Sequence, residues 1–272
     1  MPFVIYGVVT NTSISQLFMA GLVPGLIMGA GLIVAWTLIA RDFTEPTPPK
    51  ATAAERRRVL IDGAAALMLP VIIVGGLRFG IFTPTEAAVV AAMYALAVST
   101  LLYRELSWND LMETLTRASR TTASVMFLCA AATVSAYMIT LAQLPDEIGA
   151  MLGPLAEHPK LLVLAIMLLM IAVGMVLDLT PTILILAPVL APIAIKAGVD
   201  PVYFGVMFVL IGSIGLITPP VGTVLHVVGG IGKLHMEVLV RGVMPFFMIY
   251  LIIVALLVAF PSIVTVPLAW LR

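Results

Sequence analysis

Gly215-Leu216-Ile217-Thr218-Pro219-Pro220-Val221-Gly222 decides how this chain is read. Two prolines and two glycines fall within these eight residues, yet no charged residue occurs anywhere between Pro201 and Gly232. Proline has no N–H to donate and clashes with the preceding helical turn, so an α-helix does not run undisturbed through Pro219-Pro220. The flanking arms are as apolar as a membrane span. An irregular backbone at membrane depth is tolerated only where protein or a polar cavity satisfies its amides and carbonyls. The sequence therefore predicts a re-entrant hairpin over 201–232, turning at Gly215–Gly222 and facing a cavity.

The composition supports a bilayer as solvent. Hydrophobic residues make up 62% of the 272 and charged residues 10%, against roughly 45–50% and about 25% in soluble domains. The formal net charge is zero, which gives no basic footprint for nucleic acid. Cys129 is the single cysteine, and His158, His226 and His235 lack metal-ligand spacing with one another. No Ser-His-Asp or Cys-His set and no phosphate-cradling glycine loop is present, so neither enzyme chemistry nor ATP hydrolysis is expected. The fold class is all-α, a polytopic membrane protein.

Spans follow from apolar length, about 20 residues each. Leu17 to Ile39 forms the first, within a segment 17–40 rich in small residues suited to helix packing. Residues 41–58 read as a polar, proline-bearing cytoplasmic loop, because five basic residues fall there. Residues 59–120 hold two spans and an amphipathic interfacial stretch from Arg104, anchored by Trp108. Thr83-Pro84-Thr85-Glu86 has the form of a capping box with proline at the first helical position, and that structural role accounts for it. Residues 121–200 hold further spans, Thr121 to Leu141 among them, with a break at 178–181. Residues 233–272 hold an interfacial segment and a last span from about Val243 to Phe260.

An internal repeat is also legible. Residues 13–24 lie on 234–245, with Gly21-Leu22-Val23-Pro24 matching Gly242-Val243-Met244-Pro245. On that match, 1–16 is the outgoing arm of a first hairpin, equivalent to the end of the second. Its incoming arm and turn are expected upstream of Met1, so the chain reads as the back part of a longer protein.

Asp178 is the only charged residue between Leu161 and Ile195. An intramembrane carboxylate marks a functional site by default, and an ionised one suits a cation. The competing reading is that Asp178 caps the helix that Pro181 begins. Thr180, Thr182 and Thr218 offer oxygens at helix breaks, or else bond back to their own backbone. Pro219 and Pro220 open the turn and leave the carbonyls of Gly215 and Thr218 to face a cation, and Gly222 permits positive φ or close approach. Asp178, Thr180, Gly215 and Thr218 are the candidate cation ligands. His226 reads as a packed side chain, and Lys233 and Arg241 as interfacial anchors.

Taken together, these motifs resemble the large membrane subunit of tripartite ATP-independent periplasmic transporters. The resemblance rests on Val4-Ile5-Tyr6-Gly7, Gly80-Ile81-Phe82-Thr83-Pro84-Thr85-Glu86-Ala87-Ala88, Tyr103-Arg104-Glu105-Leu106, Gly174-Met175-Val176-Leu177-Asp178, Asp200-Pro201-Val202-Tyr203-Phe204-Gly205 and the 215–222 turn, in that order. Asp178-Leu179-Thr180-Pro181 is most similar to the sugar-acid (diketogulonate-type) branch. The resemblance implies an elevator-type, inverted-repeat carrier of small carboxylates driven by sodium in the bacterial inner membrane. Its implied partners are a small four-helix membrane subunit and a periplasmic substrate-binding protein, with sodium as coupling ion and no other cofactor. Ile211 and Val224 depart from commonly polar family positions, where Thr223 and His226 are placed to compensate. Two alternatives stay open at this point: a stand-alone ion-coupled carboxylate carrier, and an N-terminally truncated fragment without transport activity.

Overall fold

The structure is a computed structural model that describes residues 1–42, 51–143, 147, 158–219 and 222–271. All regular elements among them are helical. They are α1 (Pro2–Thr10), α2 (Ile14–Ile39), α3 (Ala53–Arg78), α4 (Pro84–Ala97, running on as a π-helical turn, Val98–Leu102), α5 (Trp108–Leu141), α6 (Pro159–Gly174), α7 (Leu179–Lys196), α8 (Pro201–Gly215), α9 (Thr223–Gly232), α10 (Met236–Ala259) and α11 (Ser262–Leu271). Five of these segments are long and apolar enough to cross a membrane: α2, α3, α4 with its π turn, α7 and α10. The chain is thus an all-α, multi-pass membrane protein. It divides into two compact units, Met1–Arg41 with Val125–Arg272, and Asp42–Ser124.

In the first unit α8 is the core. It is apolar on all sides, as suits a helix held in a protein core or in the bilayer, and here protein encloses it. Phe204, Val206, Met207, Phe208 and Ile211 are fully buried, and α1, α2, α6, α7 and α10 pack around them. Gly205 lets α1 in. A Cβ there would lie 2.5 Å from Tyr6 Cε1, and the Tyr6 ring rests on Phe208 with centroids 5.5 Å apart. At the other end of α10, Leu257 has Pro261 four residues ahead, so its carbonyl lacks the usual helical N–H donor. The Tyr203 hydroxyl donates to it instead, at 3.1 Å. The Lys160 ammonium donates to the Ala259 carbonyl at 2.8 Å.

Two helix ends near the matched segments share local geometry, in a register one residue away from the 13–24 on 234–245 match. α1 and α9 each end on a left-handed residue, Asn11 at φ 52° and Lys233 at φ 50°. The carbonyl of Gly7 accepts the N–H groups of Asn11 and Thr12, and that of Gly229 accepts those of Lys233 and Leu234. Leu17 lies over Gly7 and Leu239 over Gly229. Residue numbers differ by 222 at each pair. The Gly-x-x-Pro element matches at 221, because α10 reaches its proline one residue sooner.

The second unit is an α3–α4 hairpin with the first part of α5. The Tyr94 hydroxyl donates to the Ala65 carbonyl at 2.8 Å, and that of Tyr103 to the Asp62 carbonyl at 2.5 Å. Each helix opens with a reciprocal box: Thr52 with Glu55, Thr83 with Glu86, and Ser107 with Asp110. In the last of these, the Ser107 hydroxyl and then its N–H hold the Asp110 carboxyl below its ordinary range.

Four sequence boundaries need correction. The 41–58 loop is shorter than expected, because the Thr52–Glu55 box starts α3 at Ala53 and places Arg56, Arg57 and Arg58 on helix. The expected division at 120/121 falls inside α5, one unbroken helix. The break expected at 178–181 lies at 175–178 instead, with Thr180 and Pro181 already in the first turn of α7. Proline is tolerated there because the first four helical N–H groups have no intrahelical acceptor. The last span starts at Met236, where His235 gives an extended cap, leaving no separate interfacial segment before Val243. Residues Pro46, Pro48, Pro49, Pro145, Asp146, Pro220 and Val221 lie outside the described residues.

Candidate functional site

Two helix breaks in the first unit meet. α6 stops at Gly174 and α7 resumes at Leu179; α8 stops at Gly215 and α9 starts at Thr223. The stops touch backbone to backbone. A Cβ on Gly174 would lie 2.9 Å from Gly215 Cα, and one on Gly215 would lie 2.8 Å from Gly174 Cα. Beside them the Gly222 N–H donates to the Met175 carbonyl at 3.1 Å, joining the two irregular segments directly. Leu179, the first residue of α7, lies over Gly212, where a Cβ would meet its Cδ1 at 2.4 Å.

Asp178 caps α7. Its Oδ1 accepts the Leu179 N–H at 2.8 Å, while its carbonyl accepts the Thr182 hydroxyl at 2.8 Å. Thr218 repeats that arrangement at the other break, donating its hydroxyl to the Ile214 carbonyl at 2.8 Å. Thr182 and Thr218 are both fully buried. A hydroxyl whose proton is committed to a carbonyl presents only lone pairs elsewhere, which is the right polarity for a cation. Thr180 and Thr223 are half-buried and Asp178 is exposed.

One expectation changes. The Gly215 carbonyl is engaged by the Thr218 N–H at 3.0 Å, and the Leu216 carbonyl by the Val224 N–H at 3.2 Å, so the turn winds on itself. Gly222 has φ 48° and ψ 92°, a conformation that favours glycine. A Cβ there would approach the Leu216 and Thr218 carbonyl oxygens, each to 3.1 Å. Pro219 sits in this turn, half-buried. Ile211 is sealed in the core, and the His226 ring lies 3.4 Å from the Gly222 carbonyl through Nδ1. Gly174 and Met175 are absent from the residues singled out for the site. Their only sequence signal is their place in the Gly174–Asp178 motif.

Two facing interruptions in apolar helices, with an acidic cap at one and a proline turn at the other, are features of a solute-carrying membrane protein. Residues 1–263 match the family described as tripartite ATP-independent periplasmic transporter, DctM component, and the chain belongs to that family. It is 49% identical over all 272 residues to the 2,3-diketo-L-gulonate TRAP transporter large permease protein of Escherichia coli, covering 64% of that protein. It is 39% identical over 262 residues to the sialic acid TRAP transporter large permease protein of Vibrio cholerae, covering 96% of this chain and 61% of the relative. The C4-dicarboxylate TRAP transporter large permease protein of Pseudomonas aeruginosa is 34% identical over 260 residues, with 96% and 61% covered. The chain therefore spans somewhat under two thirds of the length of these relatives.

Proposed function

We propose that this chain forms the C-terminal part of a large permease subunit that takes up a small organic or sugar acid, driven by sodium. The juxtaposed breaks carry the reading: Gly174 against Gly215, and Gly222 bonded to Met175, bring the Asp178 cap and the Thr218 turn to one region. In this reading sodium takes oxygens from Asp178, Thr180 and Thr218, and the second lone pair of the Gly215 carbonyl, whose first accepts the Thr218 N–H. The substrate carboxylate meets the turn and Thr223 beside the start of α9, whose dipole favours negative charge. The small four-helix subunit and a periplasmic binding protein complete an elevator-type transporter in a bacterial inner membrane. The similarity to the diketogulonate protein favours a sugar acid over a simple dicarboxylate.

The test is uptake by the full-length subunit reconstituted with both partners. An inward sodium gradient is expected to drive accumulation of labelled sugar acid, and collapsing the gradient to abolish it. Accumulation indifferent to sodium would overturn the coupling.

A further inference from the structure

The contact between α6 and α8 is closer than packing alone requires. A Cβ on Gly174 would stand 2.9 Å from Gly215 Cα and one on Gly215 2.8 Å from Gly174 Cα, both too close to backbone, so any side chain at either position must part the helices. The contact is followed at once by the Gly222 N–H to Met175 carbonyl bond, which spans the two irregular segments. Leu179 seated on Gly212 ties the start of α7 to α8. Three links of different kinds thus join the Asp178 break to the Thr218 turn.

We infer that Gly174 and Gly215 are positioning residues that lock the two breaks into one body, so that ligand binding at the turn and at Asp178 is a single event. The inference rests on the proposed function for what binds there, but the lock is a property of the contact itself. Neither glycine touches the ligand through a side chain. They act by setting where Met175 presents its carbonyl and where the Gly222 N–H meets it. A Cβ at 2.9 Å must retreat to ordinary contact, about 3.5–4.0 Å. The shift falls directly on that hydrogen bond.

Hydrogen exchange and uptake on the full-length complex decide it. In Gly174→Ala, exchange in a peptide covering 216–222 is expected to accelerate at least tenfold while the middle of α8 is unchanged. The half-saturating sodium concentration should rise in step. Gly215→Ala presses the same contact from the other side and should give the same pattern. Gly25→Ala and Gly29→Ala, where a Cβ meets nothing within 4 Å, should give neither effect. Should both contact variants fail to assemble, the wild-type complex still answers. Sodium must protect 175–179 and 216–222 together, and protection of one segment alone overturns the lock. Unchanged exchange of the turn in an assembled Gly174→Ala complex overturns it as well. Sodium-independent uptake by the wild type would refute the coupling reading only, because the exchange pattern of the variants still reports on the contact.

Discussion

Replacing Gly222 with alanine is the sharpest single test of the turn. The residue sits at φ 48° and ψ 92°, beyond the left-handed basin open to L-residues, whose ψ runs from about +30° to +60°. Holding a non-glycine residue in so sparse a region costs about 1–3 kcal/mol. The added Cβ would also meet Leu225 Cδ1 at 3.0 Å and two backbone oxygens, of Leu216 and Thr218, at 3.1 Å. The leucine can rotate away; the carbonyls belong to the turn and cannot. A cost near 2 kcal/mol, borne when the turn closes on its ligand, corresponds to a rise of about thirtyfold in half-saturating sodium, since about 1.4 kcal/mol is tenfold. Sodium-dependent uptake in proteoliposomes, with protein amount matched by quantitation of inserted complex, measures it. A sodium constant within twofold of wild type at full maximal rate would show that the turn does not close on the ion in this geometry.

Asp178→Asn separates the two roles of the carboxylate, because asparagine caps helices about as well as aspartate. Thermal stability should hold while sodium affinity falls at least tenfold, whereas Asp178→Ala should lose about 1 kcal/mol of stability in addition; retained affinity in Asp178→Asn would make the residue a cap alone. Tyr203→Phe leaves the buried Leu257 carbonyl without a donor and should destabilise the protein by about 1–3 kcal/mol in denaturant titration, a neutral result being the refutation. The Asp110 carboxyl is held below its ordinary value by Ser107, so its stabilisation of the α5 start is present above the unfolded value, about 3.9, and is lost as pH falls through the lower folded value. Exchange at 107–111, corrected for intrinsic rates, should quicken below about pH 4, and Ser107→Ala should remove that pH dependence.

Local chemistry was readable along the chain and long-range contact was not. The Thr83–Glu86 box followed directly from residue order, and the proline turn at 216–222 followed from two missing N–H groups. The same box signature at Thr52–Glu55 was present but masked by its surroundings, where prolines and five basic residues gave the stretch the look of a loop. The split lies at 175–178 and not at 178–181 because the Asp178 carboxylate, and not Pro181, sets the start of α7, two residues earlier. The repeat was visible at Gly21–Pro24 and Gly242–Pro245, but the similar helix ends, 222 residues apart, are backbone caps, which leave little trace in side-chain identity. Gly174 and Gly215 stand 41 positions apart, and nothing in either neighbourhood says that the two will touch.

The self-contained helix starts of the second unit bear on the order in which the chain acquires structure. Each of its three boxes closes within four residues, and its two tyrosine bonds reach back only 29 and 41. Proteins dominated by such local contacts fold fast. In the first unit, by contrast, Tyr6 waits for Gly205 and Phe208, roughly 200 residues later. At about 5–20 residues per second of synthesis, that is an interval on the order of 10–40 s; the α3–α4 hairpin is synthesised by about its midpoint and can close its local bonds while α1 still lacks the helix that will enclose it.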